Sequence, residues 1–258
     1  LGSRFGTPAY VYSRRRIEEN YRRLDQAFAR IPHLICYSVK ANSNLNIISL
    51  LAKMGAGADI VSGGELERVL QAGADPTRVV FSGVGKTIEE INDGLRSDLL
   101  MFNVESKEEL DLIEKQAQAL GKIAPIAVRI NPNVEAKTHP YTQTGQTSHK
   151  FGVSPAEAEG LYRQAAASPH IEIRGVACHI GSQILDVHPF LQAFDEIRTI
   201  ADKLHRDKIK VMNLDLGGGL GINYGKGREL DLGTLSEGLV SRLRGTPYQL
   251  VLEPGRAL

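Results

Sequence analysis

Two rhythms of apolar positions alternate along the chain. Short, nearly continuous apolar runs recur at HLICYSVK (33–40), GADIVS (57–62), RVVFSG (78–83), LLMFNVE (99–105), PIAVRINP (125–132), IRGVACHIGS (173–182), VMNLDLGGG (211–219) and YQLVLEPG (248–255). Such runs predict strands buried on both faces. Between them lie stretches with apolar residues at three- and four-residue spacing, among them NIISLLAKMG, GELERVLQAG, KEELDLIEKQAQALG, SPAEAEGLYRQAAAS and PFLQAFDEIRTIADKLHRD. These predict amphipathic helices, and Gly55, Gly73 and Gly121 stand where three of them would close. Strand–helix alternation over eight units predicts a parallel sheet covered by helices and closed into a (β/α)8 barrel of the TIM type, one domain over residues 1–258. A further β-like run, AYVY at 9–12, precedes the charged helical stretch SRRRIEENYRRLDQAFARI. It is expected to be an entry strand outside the barrel.

An open doubly wound sheet is the competing architecture, and it usually carries a glycine fingerprint after its first strand. GAGAD at 55–59 has its glycines before a strand rather than after one, so it does not supply that signal. One connection breaks the cadence. NPNVEAKTHPYTQTGQTSHKFGVS, residues 131–154, has neither period. Long irregular connections are either tolerated insertions or functional loops. This one follows a strand, which places it at the C-terminal face of a barrel, and its His139, Tyr141, His149 and Lys150 favour a functional loop.

Composition narrows the function classes. A net charge of +1 with acids and bases interspersed gives no nucleic-acid arm and no membrane-surface patch. No apolar run reaches the roughly 20 residues a membrane span needs, and LGSRFGTPAY lacks a signal peptide's apolar stretch. Cys36 and Cys178 both sit in apolar strand segments, as reduced buried thiols of a cytoplasmic protein would. No Cys/His spacing suits zinc. A small-molecule partner is expected.

The C-terminal ends of the predicted strands carry Lys40, Asp59, Ser62, Arg129, Asn131, His179, Ser182, Gly217–Gly219, Glu253 and Arg256. In a barrel these ends converge on one mouth, where charged residues serve catalysis more than stability. Lys40 is either a strand-end lysine reaching water or a working amine. Crowded by cations such as Arg129, the amine would lose proton affinity and become a nucleophile for carbonyls. The LGGGLG run (216–221) is a flexible turn or a phosphate cradle. Glu253 either pairs with Arg256 or holds a protonated ring nitrogen. His179 is a satisfied core histidine or a flat partner for a flat cofactor. Taken together, a lysine, a phosphate cradle, a flat ring and a carboxylate for a ring nitrogen describe a pyridoxal phosphate pocket.

At these motifs the sequence resembles the fold-type III pyridoxal phosphate enzymes, the alanine-racemase-like barrels. YSVKAN is similar to the lysine motif of their decarboxylase branch, with Ser38 where alanine or proline is more usual. HIGSQ, NLDLGGGLG and LEPGRAL follow in the same order and spacing, and the 131–153 loop is similar to that of diaminopimelate decarboxylases. The resemblance implies that Lys40 forms the Schiff base and His179 stacks on the pyridine ring, both as catalytic residues. It implies that Glu253 pairs with the ring nitrogen and that Gly217, Gly218, Gly219, Gly255 and Arg256, helped by Ser182, hold the phosphate. Arg256 also reaches the substrate's distal carboxylate, and Asp59 and Arg129 are cofactor-side groups. The implied reaction converts meso-2,6-diaminopimelate to L-lysine and CO2. The resemblance leaves room for a non-catalytic pyridoxal phosphate-binding homologue or a decarboxylase of another basic amino acid such as ornithine. Family members are homodimers that continue past EPGR into a β-domain, which contributes a cysteine, a glutamate and a tyrosine to the site. Neither Cys36 nor Cys178 is placed to replace that cysteine. The expectation is a cofactor-binding barrel with little or no turnover by itself.

Overall fold

The computed structural model describes residues 1–134, 151–225 and 227–258. Eight strands, β1 (His33–Ser38), β2 (Gly57–Ile60), β3 (Val79–Phe81), β4 (Met101–Val104), β5 (Ala124–Ile130), β6 (Ile171–Cys178), β7 (Asn213–Asp215) and β8 (Gln249–Leu252), form a closed parallel barrel in chain order. The ring shuts where β8 pairs with β1, with Leu34 opposite Val251. The helices are α1 (Gly2–Phe5), α2 (Arg14–Ala27), α3 (Leu45–Lys53), α4 (Gly63–Gln71), α5 (Ile88–Arg96), α6 (Lys107–Leu120), α7 (Pro155–Ala167), α8 (Val187–Arg206) and α9 (Leu232–Leu243).

Local chemistry explains where the helices start. Ser62, Thr87, Ser106, Ser154 and Asp231 each accept a backbone N–H of the first turn. Thr87–Glu90 and Ser154–Glu157 form complete capping boxes. Ser62, expected among the strand-end groups of the mouth, is therefore a helix cap. Gly121 closes α6 in the left-handed conformation, as its position predicts.

The strand alternation divides the core in two. Ile35, Phe81, Phe102, Val128 and Leu250 face outward into a large apolar layer shared with the helices. Leu34, Cys36, Val80, Met101, Ala127, Ala177 and Val251 face the barrel axis and form a separate floor. Each fully buried aliphatic or aromatic side chain in these layers contributes about 1.5–3 kcal/mol.

The expected entry strand is not there. Ala9–Tyr12 has no regular structure, and Tyr10 is 91% exposed. The physical reason is closure: a barrel whose first strand pairs with its last offers no sheet edge for another strand. The strand expected over 33–40 is also shorter, since Val39–Ala41 forms a 3-10 turn and Lys40 sits in that turn. Among the described residues no helix is long and apolar enough to cross a membrane.

Candidate active site

The period of two that builds the floor also builds the mouth. Two residues beyond an axis-facing position, several strands deliver a polar group to the same side. Cys36 leads to Ser38, Val80 to Ser82, Met101 to Asn103 and then Glu105, Ala127 to Arg129, Ala177 to His179, and Val251 to Glu253. Asp59 and Asp215 join them from β2 and β7, fully buried. Hydrogen bonds across the barrel tie this polar layer together.

Lys40 Nζ donates to Asp59 Oδ2 at 2.8 Å, and Ser38 Oγ donates to the same oxygen at 2.5 Å. The Lys40 side chain is 51% exposed while that of Asp59 is buried, so the amine faces the mouth and its counter-ion lies beneath it. Burial pulls the amine's proton affinity down. The charges of Asp59 and Glu253 and the Asp59 hydrogen bond outweigh it, leaving Lys40 above its ordinary value. This corrects the expectation of an amine weakened by neighbouring cations. Its partner is a carboxylate, and Arg129 Nη1 is committed to Glu105 Oε1 at 2.6 Å.

His179 leaves the end of β6 with its ring against the glycine run. The Gly218 amide donates to Nδ1 at 3.1 Å, which places the ring hydrogen on Nε2. Burial, with Arg129 and Lys40 nearby, pushes its pKa down to about 3. The imidazole is therefore neutral at ordinary pH.

The glycine run is packed rather than loose. Gly217 has φ +70° and Gly219 φ +91°, both in the region that glycine occupies without strain. A side chain on Gly218 would strike the Glu253 carbonyl, and one on Gly219 the Gly181 carbonyl. Asp215 Oδ1 accepts the Gly217 amide at 2.9 Å, and the Glu253 amide donates to the Gly217 carbonyl at 2.8 Å. Gly255 packs against Ala41 and Ser38, so the cradle lies beside the Lys40 turn. The amides of Gly219, Gly255 and Arg256 carry no hydrogen bond among the described residues and remain donors.

Glu253 does not pair with Arg256. Arg256 Nη1 donates to Gln183 Oε1 at 3.1 Å and its guanidinium lies over the Tyr224 ring. The Glu253 carboxyl accepts instead from Ser82 Oγ at 3.4 Å. Burial first, then the charges of Asp215 and Asp59, push it well above the usual carboxylate range. Asp215 is pushed up to about 6, chiefly by burial, although Asn103 Nδ2 donates to its Oδ2 at 2.9 Å.

Both feet of the long loop are fixed at the end of β5. Asn131 N–H donates to the Val153 carbonyl, Val153 N–H to the Arg129 carbonyl, and Gly152 N–H to Glu105 Oε2. Phe151 lies against the Arg129 guanidinium. His139, Tyr141, His149 and Lys150 lie outside the described residues. Ser182 follows β6 half-buried, with no hydrogen bond from its hydroxyl among the described residues. Cys36 and Cys178 are free, buried thiols, and burial raises both.

Sequence reasoning passed over Ser38, Ser82, Asn103, Glu105 and Asp215. Ser38, Ser82 and Asn103 stand two positions beyond a floor residue and Glu105 four beyond Met101, and that spacing was the available signal; Asp215, two beyond the polar Asn213, carries no such signal. The whole arrangement suits an anionic, flat, nitrogen-containing group. It offers free amides on a glycine surface, a neutral ring, a carboxyl aimed into the barrel, and a buried Asp59 Oδ1 without a hydrogen-bond partner.

The chain is similar to known proteins over its whole length. Residues 14–258 match the family described as pyridoxal-dependent decarboxylase, pyridoxal binding domain. A diaminopimelate decarboxylase of Pseudomonas aeruginosa is 49% identical over 258 residues, covering 100% of this chain and 62% of the relative. One from Haemophilus influenzae is 48% identical, with the same two coverages. The crystal structure of diaminopimelate decarboxylase from Helicobacter pylori complexed with L-lysine superposes with a TM-score of 0.94 at 42% identity, covering 99% of this chain and 66% of that one. The chain thus spans 62% of the length of these two curated relatives.

Proposed function

The chain belongs to the pyridoxal-dependent decarboxylases through their pyridoxal-binding domain, and from that membership we propose that residues 1–258 form the cofactor-holding unit of an enzyme converting meso-2,6-diaminopimelate to L-lysine and CO2. The observation that carries the reading is the Lys40–Asp59 pair set beside a cradle of free amides, with His179 and Glu253 at the same mouth. The similarity to relatives named diaminopimelate decarboxylase supports the substrate.

When bound, pyridoxal phosphate supplies an electron sink for the pair of electrons left as the α-carboxylate departs. In this proposal Lys40 presents its amine to the cofactor's aldehyde, and Asp59 keeps the proton-bearing form of that amine in place. The free amides of Gly219, Gly255 and Arg256, with the Ser182 hydroxyl, would bind the phosphate, and Gly217 and Gly218 shape the turn that lets it approach. His179, held neutral and in one tautomer by Gly218, lies flat against the pyridine. Glu253 holds a proton at the ring nitrogen. Arg129 with Glu105 orders the feet of the 131–154 loop, and Arg256 takes the substrate's distal carboxylate. We further propose that the protein works in the cytoplasm, where Cys36 and Cys178 stay reduced, and as a homodimer.

Adding pyridoxal phosphate to the purified protein should produce a near-ultraviolet or visible lysine–cofactor band that Lys40→Ala abolishes. No band, or a band unchanged by the substitution, would remove Lys40 from its role. Fused to the remaining segment of a relative, the chain should release CO2 from diaminopimelate faster than from ornithine. The reverse order would overturn the substrate.

A further inference from the structure

The deepest part of the polar layer holds two buried carboxyls whose roles differ. Asp215 is fully buried at the end of β7, and Glu253 is 6% exposed beyond β8. Asp215 receives two N–H donors, Gly217 N at 2.9 Å and Asn103 Nδ2 at 2.9 Å. Glu253 receives one hydroxyl, Ser82 Oγ, itself held by Asn103 Nδ2 at 3.1 Å. Two N–H donors favour the charged form of Asp215, and Glu253 has no comparable support. Asn103 Nδ2 thus serves both carboxyls, Asp215 Oδ2 directly and Glu253 Oε1 through Ser82 Oγ, and the proton of this crowded pair belongs on Glu253.

We propose that Asp215 is a positioning residue that couples the two ends of the cofactor site: it fixes the Gly217 amide at the base of the glycine turn and, through the Asn103 amide and the Ser82 hydroxyl, holds the Glu253 carboxyl that meets the ring nitrogen. The proposal rests on the pyridoxal phosphate reading given above and extends it to a residue outside the phosphate and ring contacts. Glu253 also completes the loop through its backbone, since its amide donates to the Gly217 carbonyl at 2.8 Å. The turn that carries the phosphate donors and the carboxyl for the ring nitrogen are thus joined at Gly217 twice, once through each residue. Burial and the charge of Asp215 both raise Glu253 above the usual carboxylate range. The other groups facing the pair are Lys40 and Cys36 from β1 and its turn, Asp59 from β2, Ser82 and Asn103 from β3 and β4, and Cys178 from β6. Asp59 adds to the repulsion and Lys40 opposes it. On meeting a pyridine nitrogen, the Glu253 O–H bond breaks as the ring N–H bond forms. The proton moves, no electrons leave the pair, and the carboxylate left behind faces a cation.

The test compares wild type with Asp215→Asn, Glu253→Gln and the double variant. In cofactor-free protein, the infrared carbonyl band of a protonated carboxyl is followed from about pH 5 to about pH 9. Wild type should show a band near neutral pH that Glu253→Gln lacks and that Asp215→Asn loses at lower pH. A band titrating identically in wild type and Asp215→Asn overturns the coupling. The dissociation constant for pyridoxal phosphate should then rise about tenfold in Asp215→Asn, as loss of one charge-assisted contact implies. In the Glu253→Gln background the same substitution should cost much less. Equal losses in both backgrounds would reduce Asp215 to a brace for the turn and overturn the proposal. Should Asp215→Asn not fold, Asn103→Ala serves instead. It removes a donor that favours charged Asp215, so the band should persist to higher pH, and no shift refutes the pair. Wild type that takes up no pyridoxal phosphate defeats the function proposed above, whereas bound wild type with unshifted variants defeats the role of Asp215 alone.

Discussion

Asp59→Asn should make Lys40 a faster nucleophile. The substitution is isosteric, and an asparagine Oδ1 still accepts from Ser38 Oγ, so what disappears is a negative charge 2.8 Å from the amine. Two unit charges at that separation attract by about 1.5 kcal/mol in bulk water and roughly 6 kcal/mol at an effective dielectric of about 20. Lys40 is half exposed, so solvent screening holds the effective loss near the lower limit, about 1.5–3 kcal/mol. At any pH well below the amine's pKa that energy multiplies the neutral fraction by roughly 10–100. The assay is the initial rate of adduct formation with pyridoxal, which lacks the phosphate and so reports on the amine rather than the cradle, followed by stopped-flow absorbance near neutral pH with Lys40→Ala as blank. Both proteins should speed up as pH rises, because the neutral amine is the reacting form, and the variant should be about tenfold faster or more. A variant equal to or slower than wild type, with the same pH profile, would show that Asp59 does not hold the proton on Lys40.

Three further outcomes follow from the packing. Lys86 is buried against Glu109 at 2.6 Å, with Gly83 and Asn103 carbonyls completing its shell. Lys86→Met should cost about 3–5 kcal/mol in urea unfolding, since it strands a poorly solvated carboxylate, and a cost under about 1 kcal/mol would contradict the assigned contacts. Gly219→Ala should destabilise by about 1–3 kcal/mol and weaken pyridoxal phosphate binding, because the methyl meets the Gly181 carbonyl; unchanged calorimetric melting would refute that packing. His179, with its folded pKa lowered to about 3, binds a proton more readily when unfolded. It should therefore erode stability as pH falls from about 6.5 toward 3, and His179→Gln should flatten the dependence of urea midpoint on pH across that window.

Much of the fold was written in the alternation of runs. The β-rich segments and the helical runs between them, closed by glycines such as Gly121, place the barrel without reference to any relative. The strand ends also pointed to Lys40, His179, Gly217–Gly219 and Glu253, because glycine and charge stand out against apolar neighbours. What stayed hidden was the layer beneath. Asn103 and Asp215 are 112 positions apart and meet across the barrel axis, a contact set by ring closure that no local pattern carries. NLDL and LLMFNVE each show two polar residues in an apolar run; Asn103 reads as noise until Met101, two positions back, is known to form the floor, and Asp215 has no floor residue two positions back to mark it. The proton affinity of Lys40 went the other way from expectation because its nearest charged partner is Asp59, while Arg129 is occupied by Glu105. Ala9–Tyr12 has strand composition and no edge to join.

The pairing of β1 with β8 also sets a timetable for biosynthesis. The Ser38 hydroxyl, beside the proposed Schiff-base lysine, lies 3.1 Å from the Glu253 carbonyl 215 positions later. At translation rates of about 5–20 residues per second, roughly 10–40 s separate the emergence of these two partners. Throughout that interval β1 has β2 on one side and nothing on the other, and the amine, the glycine cradle and the ring-facing carboxyl have not yet met. A nascent chain should therefore be unable to retain pyridoxal phosphate until its last strand is out of the ribosome. The exposed β1 edge is then the place where a chaperone or a misdirected strand would compete with maturation.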